Sequence, residues 1–309
     1  MGTFAVTFNN VLVTLLYLSA GFLLAKGRKV NPDHMGSVSA ILLYICGPCM
    51  FLNALTALDR SPSMTADVLL FFAVTLVLMV LAMLIVFGVL GRRRREFPFR
   101  MMALATVMGN VGFFGLPIVS SLFPDAPEAA AFSCIFTASM NIIAWTLGVF
   151  VITGDRKYMS ARAALLNPTV ISVALGFVLY LAGAKNWLPG LLSGGIRTVG
   201  GISTPLSMFV LGIRLSTMDL KSLFTQRVPW LASFGKLVAF PLFSYLLVFF
   251  LPLSPVLKAS VLILSGTPCA SIILNFSEMY HNGQKLAANC ALLSTLLSIV
   301  TIPLLSLLL

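Results

Sequence analysis

Ten runs of apolar residues alternate along the chain with short polar connections. They cover residues 4–25, 35–58, 66–90, 99–123, 128–153, 162–183, 190–213, 228–251, 256–280 and 285–308, to within a few positions. Each approaches the roughly 20 residues that an α-helix needs to cross a bilayer. The connections, such as GRRRREFP after the third run and SLFPDAPE after the fourth, are too short for a soluble domain. The pattern predicts an all-α membrane protein of ten transmembrane helices.

Two runs contain residues ill suited to a continuous helix. The fourth holds MGNVGFFGLPI at 108–118 and the ninth holds SGTPCAS at 265–271, each near the midpoint of its run. Gly109, Gly112 and Gly115 each cost a helix about 1 kcal/mol against alanine, and Pro268 removes an N–H while disfavouring helix at Thr267. Irregular backbone at membrane depth survives only where protein buries it or it lines a cavity. Kinks and packing glycines are common in single membrane helices. Two breaks at matching depth instead predict one composite site, built by Gly109, Asn110, Val111 and Gly112 with Thr267, Pro268, Cys269 and Ser271. Half-helix N-termini there would present unpaired N–H groups and positive dipole ends, which suits an anion. Asn110 is expected to order the crossing and touch the ligand, with Thr267 and Ser271 in the matching part.

Five is odd, so two halves of five helices would be related by inversion. Asn10 and Asn167, Pro48 and Pro205, and Gly109 and Gly266 each stand 157 residues apart. Any offset yields coincidences, but these fall on the first and sixth, second and seventh, and fourth and ninth runs. The reading is a first repeat over 1–155 and a second, inverted one over 156–309, a plan expected of secondary transporters.

Composition agrees: 59% of residues are hydrophobic, 9% charged, and the mean hydropathy is +1.02. A soluble domain carries roughly 25% charged residues. The net charge of +11 lies in connections and forms no clustered soluble face, so no nucleic-acid partner is implied. Fifteen Lys and Arg fall after odd-numbered runs, among them Arg92 to Arg95, Arg156, Arg214 and Lys221, against four on the other side. By the positive-inside rule both termini face outward. The first run ends at Lys26, Arg28 and Lys29 without a basic leader, and reads as a spanning helix. Five cysteines inside apolar runs suggest no disulfides, and Cys46-Gly47-Pro48-Cys49 reads as a proline kink although it matches a redox tetrad.

Few polar residues interrupt the runs. Lys236 lies some 13 Å deep, counting about 1.5 Å per residue from Arg227. Short of snorkelling, an ionisable group there is a functional candidate, as a counter-charge, a proton-linked group or a fixed cation in place of bound sodium. Asn141 and Asn275 suit interhelical bonding or site lining equally. Arg214 and Glu278, near the ends of their runs, read as interfacial or ion-paired. His34 and His281 lack companion ligands for a metal.

GNVGFFGLPIV resembles a signature of the auxin efflux carrier family. LLNPTVISVALGFVLYLAG, TVGGISTPLSMFVLGIRL, the closing TLLSIVTIPLL and the Lys236–Pro241 spacing resemble the same family, in order over nearly the whole chain. The resemblance is to bacterial-type members within the bile acid/arsenite/riboflavin transporter superfamily. It implies two inverted five-helix repeats with helices 4 and 9 broken and crossing. It also implies a homodimer whose scaffold is helices 1, 2, 6 and 7. Helices 3, 4, 5, 8, 9 and 10 would form a transport domain moving in elevator fashion. The implied activity is secondary active transport of a small organic anion, a mono- or dicarboxylate, across the plasma membrane (the bacterial inner membrane). No cofactor is implied, with coupling to protons or sodium. GDRKYMSAR is far shorter than the central loop of many plant members, which argues against auxin as substrate. A channel would need polar stripes or charged rings, and an enzyme would need a catalytic constellation; neither pattern stands out.

Overall fold

The computed structural model describes residues 2–217, 223 and 225–309; Lys221, counted among the basic connections, lies outside them. The described residues are helical apart from turns, connections and one isolated bridge. In chain order the main helices are α1 (Thr3–Lys26), α2 (Met35–Thr56), α3 (Pro62–Val89), α4 (Phe97–Val107), α5 (Val111–Leu122) and α6 (Glu128–Thr153). They continue as α7 (Pro168–Leu181), α8 (Gly190–Leu215), α9 (Arg227–Phe249), α10 (Pro255–Ser265), α11 (Ile272–Met279) and α12 (Gln284–Leu308). Among the described residues seven helices, α1, α2, α3, α6, α8, α9 and α12, are long and apolar enough to cross a membrane.

Helix starts follow local chemistry. Ser61, Asn167 and Ser254 each precede a proline, and each side chain accepts a bond from the backbone N–H three residues on, at 3.0, 3.0 and 3.2 Å. A side-chain cap followed by proline at the first position satisfies an orphan donor and presets φ. At Asn167 this trims the sixth predicted run: its regular helix begins at Pro168, with a separate short turn over Ala161–Leu165 before it.

Prolines further inside leave another mark. Widened π turns at Leu42–Cys46, Val111–Gly115 and Gly235–Ala239 each end two residues before Pro48, Pro117 and Pro241. A proline ring collides with the carbonyl four residues back, and widening the preceding turn absorbs the misfit. The fourth π turn, Ala144–Gly148, has no such proline. The CGPC tetrad thus lies within α2, where the π turn passes into regular helix, and all five cysteines are free.

Packing separates core from belt. The apolar window of α6 is 67% buried, that of α1 only 22%. Leu23, Tyr44, Val89, Leu191 and Phe250 stand exposed on the outside. Large apolar side chains exposed in such number suit lipid. α1 lies against α8 at backbone distance: a side-chain carbon at Gly21 would strike the carbonyl of Phe209, and one at Gly212 that of Leu18. Small residues permit this approach between membrane helices.

Candidate functional site

The two predicted breaks meet. α4 ends at Val107 and α10 at Ser265, and a short non-helical stretch separates each from its successor. Gly109 and Cys269 form an antiparallel bridge, three residues beyond the Gly109–Gly266 interval that the sequence offset suggested. Asn110 N–H donates to Pro268 O at 2.7 Å, and Ala270 N–H donates to Met108 O at 3.1 Å. Each break thus supplies partners for the backbone of the other, as apolar surroundings require.

Neighbouring helices hold this crossing in place. Ser133 of α6 donates to Val111 O at 2.8 Å, and Ser294 of α12 accepts from Cys269 N–H at 3.0 Å. The Cys269 thiol donates to Ala105 O at 3.3 Å. Sequence reasoning missed both serines. Buried hydroxyls in Ala- and Ser-rich runs, which face protein rather than lipid, were the available signal.

Around the crossing lies a cavity of about 190 Å³. Gly109, Asn110, Val111, Gly112, Asn141, Ser271 and Asn275 line it together, with Ser39, Thr137, Thr169, Ser207 and Arg214. Thr267, Pro268, Cys269 and Lys236 do not line it. The Thr267 hydroxyl turns back to Leu264 O at 2.7 Å, closing its own helix end. Asn141 donates to Thr137 O of its own helix at 2.8 Å, so its amide lines the site without bridging helices. Asn275 accepts from Arg214 at 3.3 Å, and Arg214 pairs with Glu278 at 3.6 Å, as the sequence suggested. The cavity role of Arg214 was not foreseen.

Two features give the cavity its chemistry. The backbone N–H groups of Gly112 and Phe113, opening α5, and of Ser271 and Ile272, at the start of α11, have no acceptor among the described residues. They are the orphan donors that every helix start leaves, here from two helices whose first residues line one space. The Asn110 side chain likewise makes no bond to a described residue, and the Ser39 hydroxyl is buried without a partner. The cavity lies towards the basic connections: Ser39 and Thr169 occupy the first two turns of α2 and α7, and Arg214 the last turn of α8.

Lys236 stands behind the bridge. Its ammonium is fully buried, donates to Ser265 O at 2.6 Å and lies 4.6 Å from the centre of the Phe240 ring. It does not snorkel. It caps the C-terminal end of α10, where a cation complements the negative dipole end. Gly109 leaves room for it: a side-chain carbon there would come within 2.6 Å of the ammonium nitrogen.

Relatives of known description span the same length. An uncharacterized transporter of Methanocaldococcus jannaschii is 23% identical over 306 residues, covering 95% of this chain and 96% of its own. A Rhizobium meliloti protein whose name proposes malonate transport is 24% identical over 297 residues, 91% of this chain and 89% of its own. A second uncharacterized transporter, from Methanothermobacter thermautotrophicus, is 23% identical over 305 residues, with 96% of both chains covered. The pattern of the membrane transport protein family matches residues 6–306, which takes in both breaks and all main helices but for the outermost residues of α1 and α12. Only the chain ends lie outside that match, and the chain belongs to the membrane transport protein family, the family of the auxin efflux carriers.

Proposed function

We propose that the protein is a secondary active transporter that carries a small organic anion, a mono- or dicarboxylate, across the plasma membrane. The observation that carries this reading is the set of four unpaired N–H groups from two half-helices on one small cavity. Positive dipole ends favour negative charge, and about 190 Å³ suits a molecule of few carbons. The malonate transport named for the Rhizobium meliloti relative fits that size and charge.

Ten spans result when α4 with α5, and α10 with α11, each count as one broken helix. The packing supports two inverted repeats: α1 lies on α8 as α7 lies on α2, α3 on α6 as α9 on α12, and α10 on α6 as α4 on α12. The cavity lies between α2, α7 and α8 on one side and α5, α6 and α11 on the other. This is the boundary along which a transport body would slide past a scaffold of α1, α2, α7 and α8. The scaffold would pair two protomers, both termini would face outward, and protons or sodium would couple the cycle.

Counterflow of radiolabelled malonate in proteoliposomes tests the carrier reading. Saturable uptake that internal unlabelled malonate accelerates supports it. Uptake without trans-stimulation makes the protein a channel.

A further inference from the structure

Among the described residues the cavity has one lining cation, Arg214, and that cation is not committed to its partners. Among the described residues Arg214 alone is shared by the inner cavity and a wider vestibule of about 790 Å³, whose wall also includes Glu278 and Lys285. One terminal nitrogen of its guanidinium makes both contacts, to Asn275 at 3.3 Å and to Glu278 at 3.6 Å. Both are long for charge-assisted bonds, which run about 2.7–2.9 Å. The remaining guanidinium donors have no acceptor among the described residues. A guanidinium presents a planar fork that fits a carboxylate at two points, and here the fork is left open. The Arg214 side chain is 26% exposed and that of Glu278 54%, so water and solutes reach the pair.

We propose that Arg214 is an anion-binding residue at the mouth of the cavity, and that Glu278 is its resident stand-in, which an arriving substrate carboxylate displaces. The proposal rests on the carrier reading above and adds a second subsite to it. Arg214 belongs to α8, whereas Asn275 and Glu278 belong to α11, so the pair ties together the two bodies that the carrier reading sets in motion. Exchange of Glu278 for a substrate carboxylate loosens that tie when the site is loaded. Loading and release of the strap become one event.

The two variants test this by opposite signs, with malonate as probe in the counterflow assay. Arg214→Gln should raise the malonate KM roughly ten-fold or more, and Arg214→Lys should recover only part of it, because an ammonium lacks the fork. Glu278→Gln removes the competing carboxylate and should lower the KM about three-fold, in line with a weak exposed pair. Size-exclusion profiles matching wild type exclude misfolding. An ion pair serving structure alone moves both variants the same way, and that result overturns the proposal. So does a KM for Arg214→Gln equal to wild type. Absence of malonate counterflow in the wild-type protein removes the carrier reading and this subsite with it, whereas wild-type counterflow with same-sign variants removes the subsite alone.

Discussion

Gly109 is predicted to be required for the room it leaves beside Lys236, and a double-mutant cycle tests that reason. Gly109 has no positive φ, so alanine fits its backbone without strain. What alanine meets is Lys236: its new carbon would lie 2.6 Å from the ammonium nitrogen, 2.8 Å from the adjoining carbon and 2.7 Å from the Thr267 hydroxyl. All three fall inside the 3.4 Å at which ordinary contact begins. Relief requires the ammonium and the Thr267 hydroxyl to shift, and with them the bond that Lys236 donates to Ser265 O. Loss of a charged hydrogen bond costs about 1.5–3 kcal/mol, and stranding the buried charge raises the total to roughly 3–5 kcal/mol.

Lys236→Leu removes the charge and two of the three crowding atoms, leaving the Thr267 hydroxyl. Its own cost is an unpaired Ser265 carbonyl, about 1–3 kcal/mol, offset in part by loss of the buried charge. Gly109→Ala in that background meets only Thr267 and should cost about 1–3 kcal/mol, giving a coupling of about 2 kcal/mol between the two sites. Denaturant unfolding in micelles, followed by tryptophan emission, gives the four free energies; Trp145 packs edge-on to Phe276 at 5.2 Å and reports on the α6–α11 contact. Equal costs of Gly109→Ala in both backgrounds, within about 0.5 kcal/mol, refute the argument and assign the glycine to the bridge itself.

Other outcomes follow from the same structure. Labelling of single cysteines should place Arg92 to Arg95 in the cytosol and both termini outside; a cytosolic C-terminus overturns the inverted-repeat count. Asn110→Ala and Gly112→Leu should abolish malonate counterflow at near-normal expression, since Gly112 already stands 3.1 Å, at the position of an added carbon, from the Thr137 hydroxyl; wild-type rates in both variants reduce the breaks to kinks. Gly212→Ala drives a carbon into the Leu18 carbonyl and should lower the yield of folded protein by separating α1 from α8, which size-exclusion chromatography reads directly.

The breaks were legible because glycine and proline act locally: any structure must accommodate Gly109, Gly112 and Pro268 where they stand. The depth match also needed only counting. The register between the breaks did not follow from an offset of identical residues, because the pairing of Gly109 with Cys269 is set by how the helices pack. Thr267 was expected to mirror Asn110, yet a threonine at a helix end can bond its own carbonyls, and it does so here. Polar residues at helical spacing were the stronger guide. Thr137 and Asn141, Ser271 and Asn275, and Ser207 and Arg214 each share a helix face four or seven positions apart, and all six line the cavity. Reading those pairs together would have drawn Arg214 into the site.

Four helix ends meet at the crossing, and their signs divide the work. α4 and α10 bring C-terminal ends, with negative partial charge, whereas α5 and α11 bring N-terminal ends with positive partial charge. Lys236 caps the C-terminal end of α10 and is not among the residues that line the cavity. The N-terminal ends are left for a ligand, and the buried cation behind them reinforces their sign. Lys236→Gln tests this division, because an amide can still donate to Ser265 O but supplies no charge. Malonate affinity should fall roughly three- to ten-fold, on the scale of a helix-dipole term. The loss should persist at high salt, since buried charges are little screened. Isothermal titration of purified wild type and Lys236→Gln at two salt concentrations measures both. Wild-type affinity in the glutamine variant would confine the lysine to capping α10.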